Sequence, residues 1–226
     1  MQIFVNEAFL AKRAKIARWG SIVGLAVLVL GLFIVGTNIT LSYVLLIIGF
    51  ICATVASFIM YQYVREPRAD QVIAKALRQL DRRYSLYSYY LPSDNVILSH
   101  HGVTVVIPRM QKGHVWFDGK RWHHKAGFSK VKQFFGEPGV GRPELDVAQD
   151  IRTMKKWLTK RGMSDIPVNG LVVFVNPEVE LELFNPLIPV VQPDSVASFF
   201  KEELDNAPMI STARLKELRR VIANEE

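Results

Sequence analysis

Between Arg18 and Arg65 the sequence contains no Lys, Arg, Asp or Glu. An uncharged stretch of that length excludes an ordinary soluble enzyme. The chain has a single cysteine, Cys52, and it lies inside this stretch, so no intramolecular disulfide framework can form. Internal repeats, collagenous bias and long low-complexity tracts are also missing. A third absence is local: from Asn95 to Phe117 there is no Asp or Glu. Against these gaps, half of the 226 residues are apolar and 22% are charged, ordinary values that conceal an uneven distribution. All but four of the 28 basic residues and all but one of the 21 acidic ones lie from Arg65 onward, in enough chain for one packed domain.

The uncharged stretch is too long for one membrane span and breaks at Gly36-Thr37-Asn38-Ile39-Thr40, where a turn belongs. Two transmembrane helices are expected, residues 19–36 and 41–63, each long enough to cross a hydrocarbon core. The first span is longer than a signal core, lacks a small-x-small cleavage site and is followed at once by the second, so a cleaved leader is not expected. Residues 1–18 form a basic flank with Lys12, Arg13, Lys15 and Arg18, read as a topology signal or as a short amphipathic helix. Arg65, Arg68, Lys75 and Arg78 follow the second span, and the turn has no charge. The positive-inside bias then puts both termini and the soluble domain, residues 64–226, in the cytoplasm of an integral inner or plasma membrane protein. Gly49, Ala53 and Ser57 recur every four residues on one face of the second span. They suit close packing within the hairpin, or a homo-oligomer contact.

Beyond the spans, a stripe of Val72, Ile73, Ala76, Leu77 and Leu80 predicts a helix over residues 67–83. Extended runs are expected at 84–91, 95–99, 102–107, 113–117 and 120–124, with turns at His101-Gly102 and Asp118-Gly119. Pro143 opens a long helix that stops at Gly162. Further runs at 171–175, 179–183 and 187–191 predict strands, the first covered on both faces, and two capped helices close the chain.

This order and several short words resemble the nuclease-related domain family, NERD, a branch of the PD-(D/E)xK nuclease superfamily. The words are Ala69-Asp70-Gln71-Val72-Ile73, Ser93-Asp94-Asn95-Val96-Ile97-Leu98, the run from Gly102 to Arg109, Gly113, Gly119-Lys120-Arg121-Trp122, Gln149, and Gly170 to Asn176. The resemblance implies a restriction-endonuclease-like α/β fold, a mixed sheet flanked by helices. In active relatives an Asp on one strand and a Glu-x-Lys on the next hold Mg²⁺, and an acid on the first helix assists. Asp94 matches the Asp, Asp70 lies near the helix acid, and Gln149 falls in the long helix. The Glu position is Ile107, which has no lone pair for a metal, and the Lys position is Arg109, which keeps its charge but cannot share a proton as lysine does.

The expected domain is therefore degenerate and non-hydrolytic, with no cofactor and no metal site. The alternative is an active nuclease that uses Mg²⁺ in a relocated site with Asp94, Asp70 and Arg109. A third class is a membrane scaffold with no nucleic-acid affinity. Lys112, Lys120, Arg121, Lys125, Lys130 and Lys132, with Trp122 among the interleaved aromatics, predict a basic face for nucleic acid or for anionic lipid. The five histidines, His100, His101, His114, His123 and His124, match no zinc spacing, and adjacent pairs point to opposite sheet faces.

Overall fold

The computed structural model describes residues 1–125, 139–202 and 209–223. It contains two compact units, one with the helical hairpin of residues Glu7–Arg68, the other an α/β domain assembled from Met1–Asn6 and the described residues of 69–125 and from Gly139 onward.

The hairpin consists of α1 (Glu7–Ile34) and α2 (Ile39–Tyr63), both long and apolar enough to cross a membrane. Asn38 caps α2, its side chain accepting from the Leu41 amide at 3.0 Å. Helix α1 starts at Glu7 rather than near Trp19, because charged side chains end an apolar span without ending a helix. The four cations of the basic flank thus ride on its first turns as part of one continuous helix. Arg13 lies over the rings of Phe9 and Tyr63, which meet edge to face at 5.7 Å.

Small residues make the seam between the helices. Leu10, Ala17, Gly24 and Gly31 are the buried positions of α1, and Ser42, Gly49 and Ala56 those of α2, so both series repeat every seventh residue. A seven-residue repeat keeps one stripe facing a partner helix in a left-handed crossing. A Cβ on Gly49 would sit 2.9 Å from the Leu28 nitrogen, and one on Gly24 would sit 2.9 Å from the Ala53 nitrogen. Ser42 Oγ donates to the Gly31 carbonyl at 2.7 Å, which satisfies a polar group within the seam. Gly49 and Ala53 of the expected small-residue face are thus used inside the hairpin, while Ser57 is exposed and Ala56 takes the buried place.

In the α/β domain, six strands form the main sheet: β1 (Gln2–Val5), β2 (Ser85–Ser88), β3 (Asn95–Ser99), β4 (Gly102–Arg109), β7 (Val168–Phe174) and β9 (Val190–Val191). That is also their spatial order, with β2, β3 and β4 an antiparallel meander and β1, β7 and β9 parallel to their neighbours. A smaller sheet sets β5 (Gly113–Phe117) between β6 (Trp122–Lys125) and β8 (Val179–Leu183).

Alternation along the strands divides the core into layers. On one face Leu86, Ile97, Val106, Leu171 and Val173 pack under α3 (Ala69–Ala76) and α5 (Pro193–Glu202). On the other face Val96, Leu98, Val103 and Val105 meet Met154 and Leu158 of α4 (Pro143–Thr159) and Leu218 and Ile222 of α6 (Thr212–Ala223). Strand β7 is buried on both sides, as its β-branched run predicts. The first helix of the domain is shorter than its apolar stripe, ending at Ala76 and tightening into a 3₁₀ turn over Leu77–Gln79.

The largest departure from the sequence reading is β1. Residues read as part of a basic flank form an edge strand parallel to β2, and Phe4 stacks on Tyr87 at 4.7 Å.

Candidate functional site

Side chains at alternate positions of a strand share a face, so Val103, Val105, Ile107 and Arg109 of β4 all point toward α4. Asp94, just ahead of β3, belongs to the same face as Val96 and Leu98. The β3–β4 register pairs Val96 with Val105. The described ladder ends at Val96 and Val105, so the two positions that the resemblance assigns to a metal-binding pair both lie two residues beyond it, Asp94 ahead of β3 and Ile107 within β4. One is a carboxylate and the other an isoleucine packed on the apolar cluster of Val115, Val147, Val172 and Phe174.

Helix α4 supplies the remaining charge. Arg109 makes an ion pair with Asp146, while Asp150, one turn further along α4, lies close enough to Asp94 and Asp146 to feel both charges. Burial is the larger cause of a raised Asp150 pKa, and the Asp94 and Asp146 carboxylates push in the same direction. Acids at 146 and 150 flank the apolar stripe of an amphipathic helix, a pattern that reads in sequence as an ordinary solvated edge. That spacing was the available signal, and only the packing of α4 on the sheet gives it meaning.

Asp150 yields a test of this geometry. A raised folded-state pKa means that the folded protein holds the proton more tightly than the unfolded chain, so stability falls as pH rises from the ordinary Asp range to the raised value. Asp150→Asn is therefore expected to raise the thermal midpoint at neutral pH, with the gain vanishing once the pH drops below about 4, where unfolded Asp is protonated as well. Equal midpoints for wild type and variant at neutral pH would refute the buried like-charge arrangement.

The other expected site residues are spread out. Asp70 is buried on α3, on the far side of the sheet, where it accepts from the Tyr89 hydroxyl at 3.4 Å. Gln149 is exposed on α4. Among the described residues no three of His, Cys, Asp and Glu are grouped to hold a metal ion. Ile107 stands where the resemblance puts a carboxylate ligand, and it has no oxygen to offer, so the residues present do not fit the Mg²⁺ centre that the resemblance implies.

The basic segment is also partly occupied. Lys112 pairs with Glu178 at 3.4 Å. Trp122 turns inward, its indole nitrogen donating to Glu144 at 2.9 Å and its ring lying against Phe117 and Phe174. Trp116 is half-buried and stacks with His114 and with His123, each 4.9 Å away. Both tryptophan rings are thus packed on aromatic neighbours. His114 pairs with Glu182, His123 with Asp118, and His124 meets the Lys112 carbonyl, so adjacent His123 and His124 point to opposite faces, whereas His100 and His101 lie in a turn with their rings 3.9 Å apart, against the expectation for that pair. Lys120, Arg121 and Lys125 are exposed, whereas Lys130 and Lys132 lie outside the described residues.

The Asp118 carboxyl sits well below the ordinary range, chiefly through the Arg121 amide, then the His123 ring and the Lys120 amide. This carboxylate shapes its turn. No protein-family model, curated protein or solved structure matches the chain.

Proposed function

We propose that the protein is a membrane-anchored, cytoplasmic nuclease-related domain of restriction-endonuclease-like fold that has lost phosphodiester hydrolysis and binds an anionic partner, nucleic acid or an anionic surface. The observation that carries the loss of hydrolysis is Ile107, packed on the apolar core where the resemblance calls for a carboxylate. An in-line displacement at phosphorus needs oxygen ligands for the cation, and an apolar side chain fills that place. Arg109, the other remnant, spends its charge on Asp146. The order of helix, antiparallel meander, long helix and a strand parallel to β4 supports the family reading. Cations on both flanks of the hairpin and none in its turn support the cytoplasmic placement.

Full-length protein in a nonionic detergent is expected to leave single- and double-stranded DNA and RNA intact with Mg²⁺ or Mn²⁺. Cleavage that Asp94→Ala abolishes would overturn the reading and favour a relocated catalytic site drawing on Asp146 and Asp150. The double change Ile107→Glu with Arg109→Lys is the complementary probe, because it returns the missing oxygen ligand and a titratable amine to the same face.

The exposed cations Lys120, Arg121 and Lys125 carry the anion-binding part. Base stacking on the tryptophans of this segment has no support, since Trp116 and Trp122 are packed on aromatic neighbours. That leaves charge, rather than base recognition, as the attraction.

A further inference from the structure

Strands β5 and β8 end side by side, Phe117 opposite Leu183, and β6 begins beside them at Trp122. The β5–β6 turn and the β8–β9 loop therefore leave the small sheet at one end. On the loop, Phe184 is 71% exposed and Leu187 77%, more than any other large apolar side chain described in the α/β domain. Water-facing apolar groups of this size carry a standing cost unless something covers them.

The loop is held in shape. The Phe184 amide donates to the Phe117 carbonyl at 3.0 Å, and its ring lies so close to Gly119 that a Cβ there would be 3.3 Å from Cδ1. Asn185 adopts a left-handed φ of 48°, and Pro186 follows. The turn beside it is equally fixed, since Asp118 Oδ1 accepts from the amides of Lys120 and Arg121 at 2.8 and 2.7 Å. Its two exposed cations follow directly on Gly119, against which the Phe184 ring lies, and Leu187 comes three residues after Phe184 on the same loop. The acids nearby are engaged, Asp118 in its turn and with His123, and Glu182 with His114.

We propose that this end of the small sheet docks on an anionic bilayer leaflet, with Phe184 and Leu187 entering the interface and Lys120 and Arg121 resting at the headgroups. The inference rests on the membrane-anchored reading above and adds the lipid-contacting residues. A tip with two apolar side chains and two cations matches the layered chemistry of an interface, in which apolar groups go beneath and positive charge stays level with phosphate. A nucleic-acid strand would satisfy the cations but leave Leu187 in water. Such a tip would bind lipid weakly as a free protein. The link between α2 and α3 runs only over residues 64–68, so the tip is held at high local concentration near the leaflet into which the hairpin is anchored.

The test uses the full chain with Cys52→Ser and Leu187→Cys, carrying a nitroxide at position 187, in nanodiscs of phosphatidylcholine with and without phosphatidylglycerol. The expected result is a label accessible to oxygen and shielded from a water-soluble nickel complex in the anionic discs. A control label introduced by Glu180→Cys stays open to nickel. Adding Lys120→Ala and Arg121→Ala should lower the docked-to-undocked ratio roughly 30-fold, the equivalent of ~2 kcal/mol for two headgroup charges. Nickel access equal to the control in both bilayers overturns the proposal, as does shielding by an added single-stranded oligonucleotide in place of anionic lipid. Anion binding is followed separately, with a fluorescent oligonucleotide and with short-chain phosphatidylglycerol in nonionic detergent. If the alanine pair weakens that binding while position 187 stays in water, the docking site is wrong and the function proposed above stands. If the pair changes neither measurement, both fall.

Discussion

Gly102→Ala is expected to destabilise the α/β domain by about 3 kcal/mol or more, a large part of the roughly 5 to 15 kcal/mol that holds a typical domain together. Gly102 opens β4 after the His100-His101 turn with φ at +105°, a conformation that costs any side-chain-bearing residue. Space is the second obstacle, because a Cβ would lie 2.4 Å from the Pro167 carbonyl oxygen. That oxygen accepts from the Val103 amide at 3.0 Å at the start of the β4–β7 ladder, so moving it out of the way breaks a bond in the centre of the sheet. Thermal unfolding of the full-length protein in detergent, followed by proteolysis of the domain, gives the measurement. A variant as stable as wild type would mean that the β3–β4 turn is built differently.

Gly170 predicts a second large effect by a different route. Its backbone is ordinary, but it lies on the α4 face of β7, and an added Cβ would be 2.2 Å from Val147 Cγ1 and 3.1 Å from Ile151 Cδ1. Gly170→Ala is expected to cost about 1 to 3 kcal/mol as the helix is pushed off the strand, and Gly170→Leu to prevent folding. Because the obstacle is one side chain, Val147→Ala should return part of the loss. The double-mutant cycle then reads a coupling that independent sites would lack. Additive losses would place the helix and strand further apart than the structure does.

Much of the domain was legible because its strands carry their own punctuation. β3, β5 and β8 lie where β-branched or alternating runs stop at turn residues, and Gly162, with φ of +70°, ends the chain's turn out of α4 as the stop signal predicts. What escaped the sequence reading depends on distant partners. The four residues Gln2 to Val5 are too few to announce a strand, and their ladder partner lies across the whole hairpin. Hydropathy sets the first span from Trp19 because it reports the thickness of a membrane, whereas the helix itself runs from Glu7, since a helix continues as long as its backbone bonds do. At the candidate site, the resemblance names Asp94 and Ile107, and the structure adds that Ile107 packs on the apolar cluster. The approach of Asp146 and Asp150 was not legible, since a polar helix edge looks the same whether it meets water or the end of a sheet. Trp122 shows the same limit, for a tryptophan beside cations reads as a stacking surface until its indole nitrogen is found on Glu144.

The position of β1 before the hairpin has a consequence for how the protein is made. The strand emerges from the ribosome ahead of both apolar helices, and its partner β2 emerges after them. Both flanks of the hairpin therefore belong to one folded domain, which requires the two helices to return the chain to the side it started from. If the hairpin spans a membrane as proposed above, a molecule in which only one helix inserted would leave Phe4 across the bilayer from Tyr87, whose ring is 4% exposed in the finished fold. Under the membrane-anchored reading proposed above, completing the sheet with β1 therefore depends on both helices having inserted, and a molecule in which they had not would expose an unpaired β2 edge.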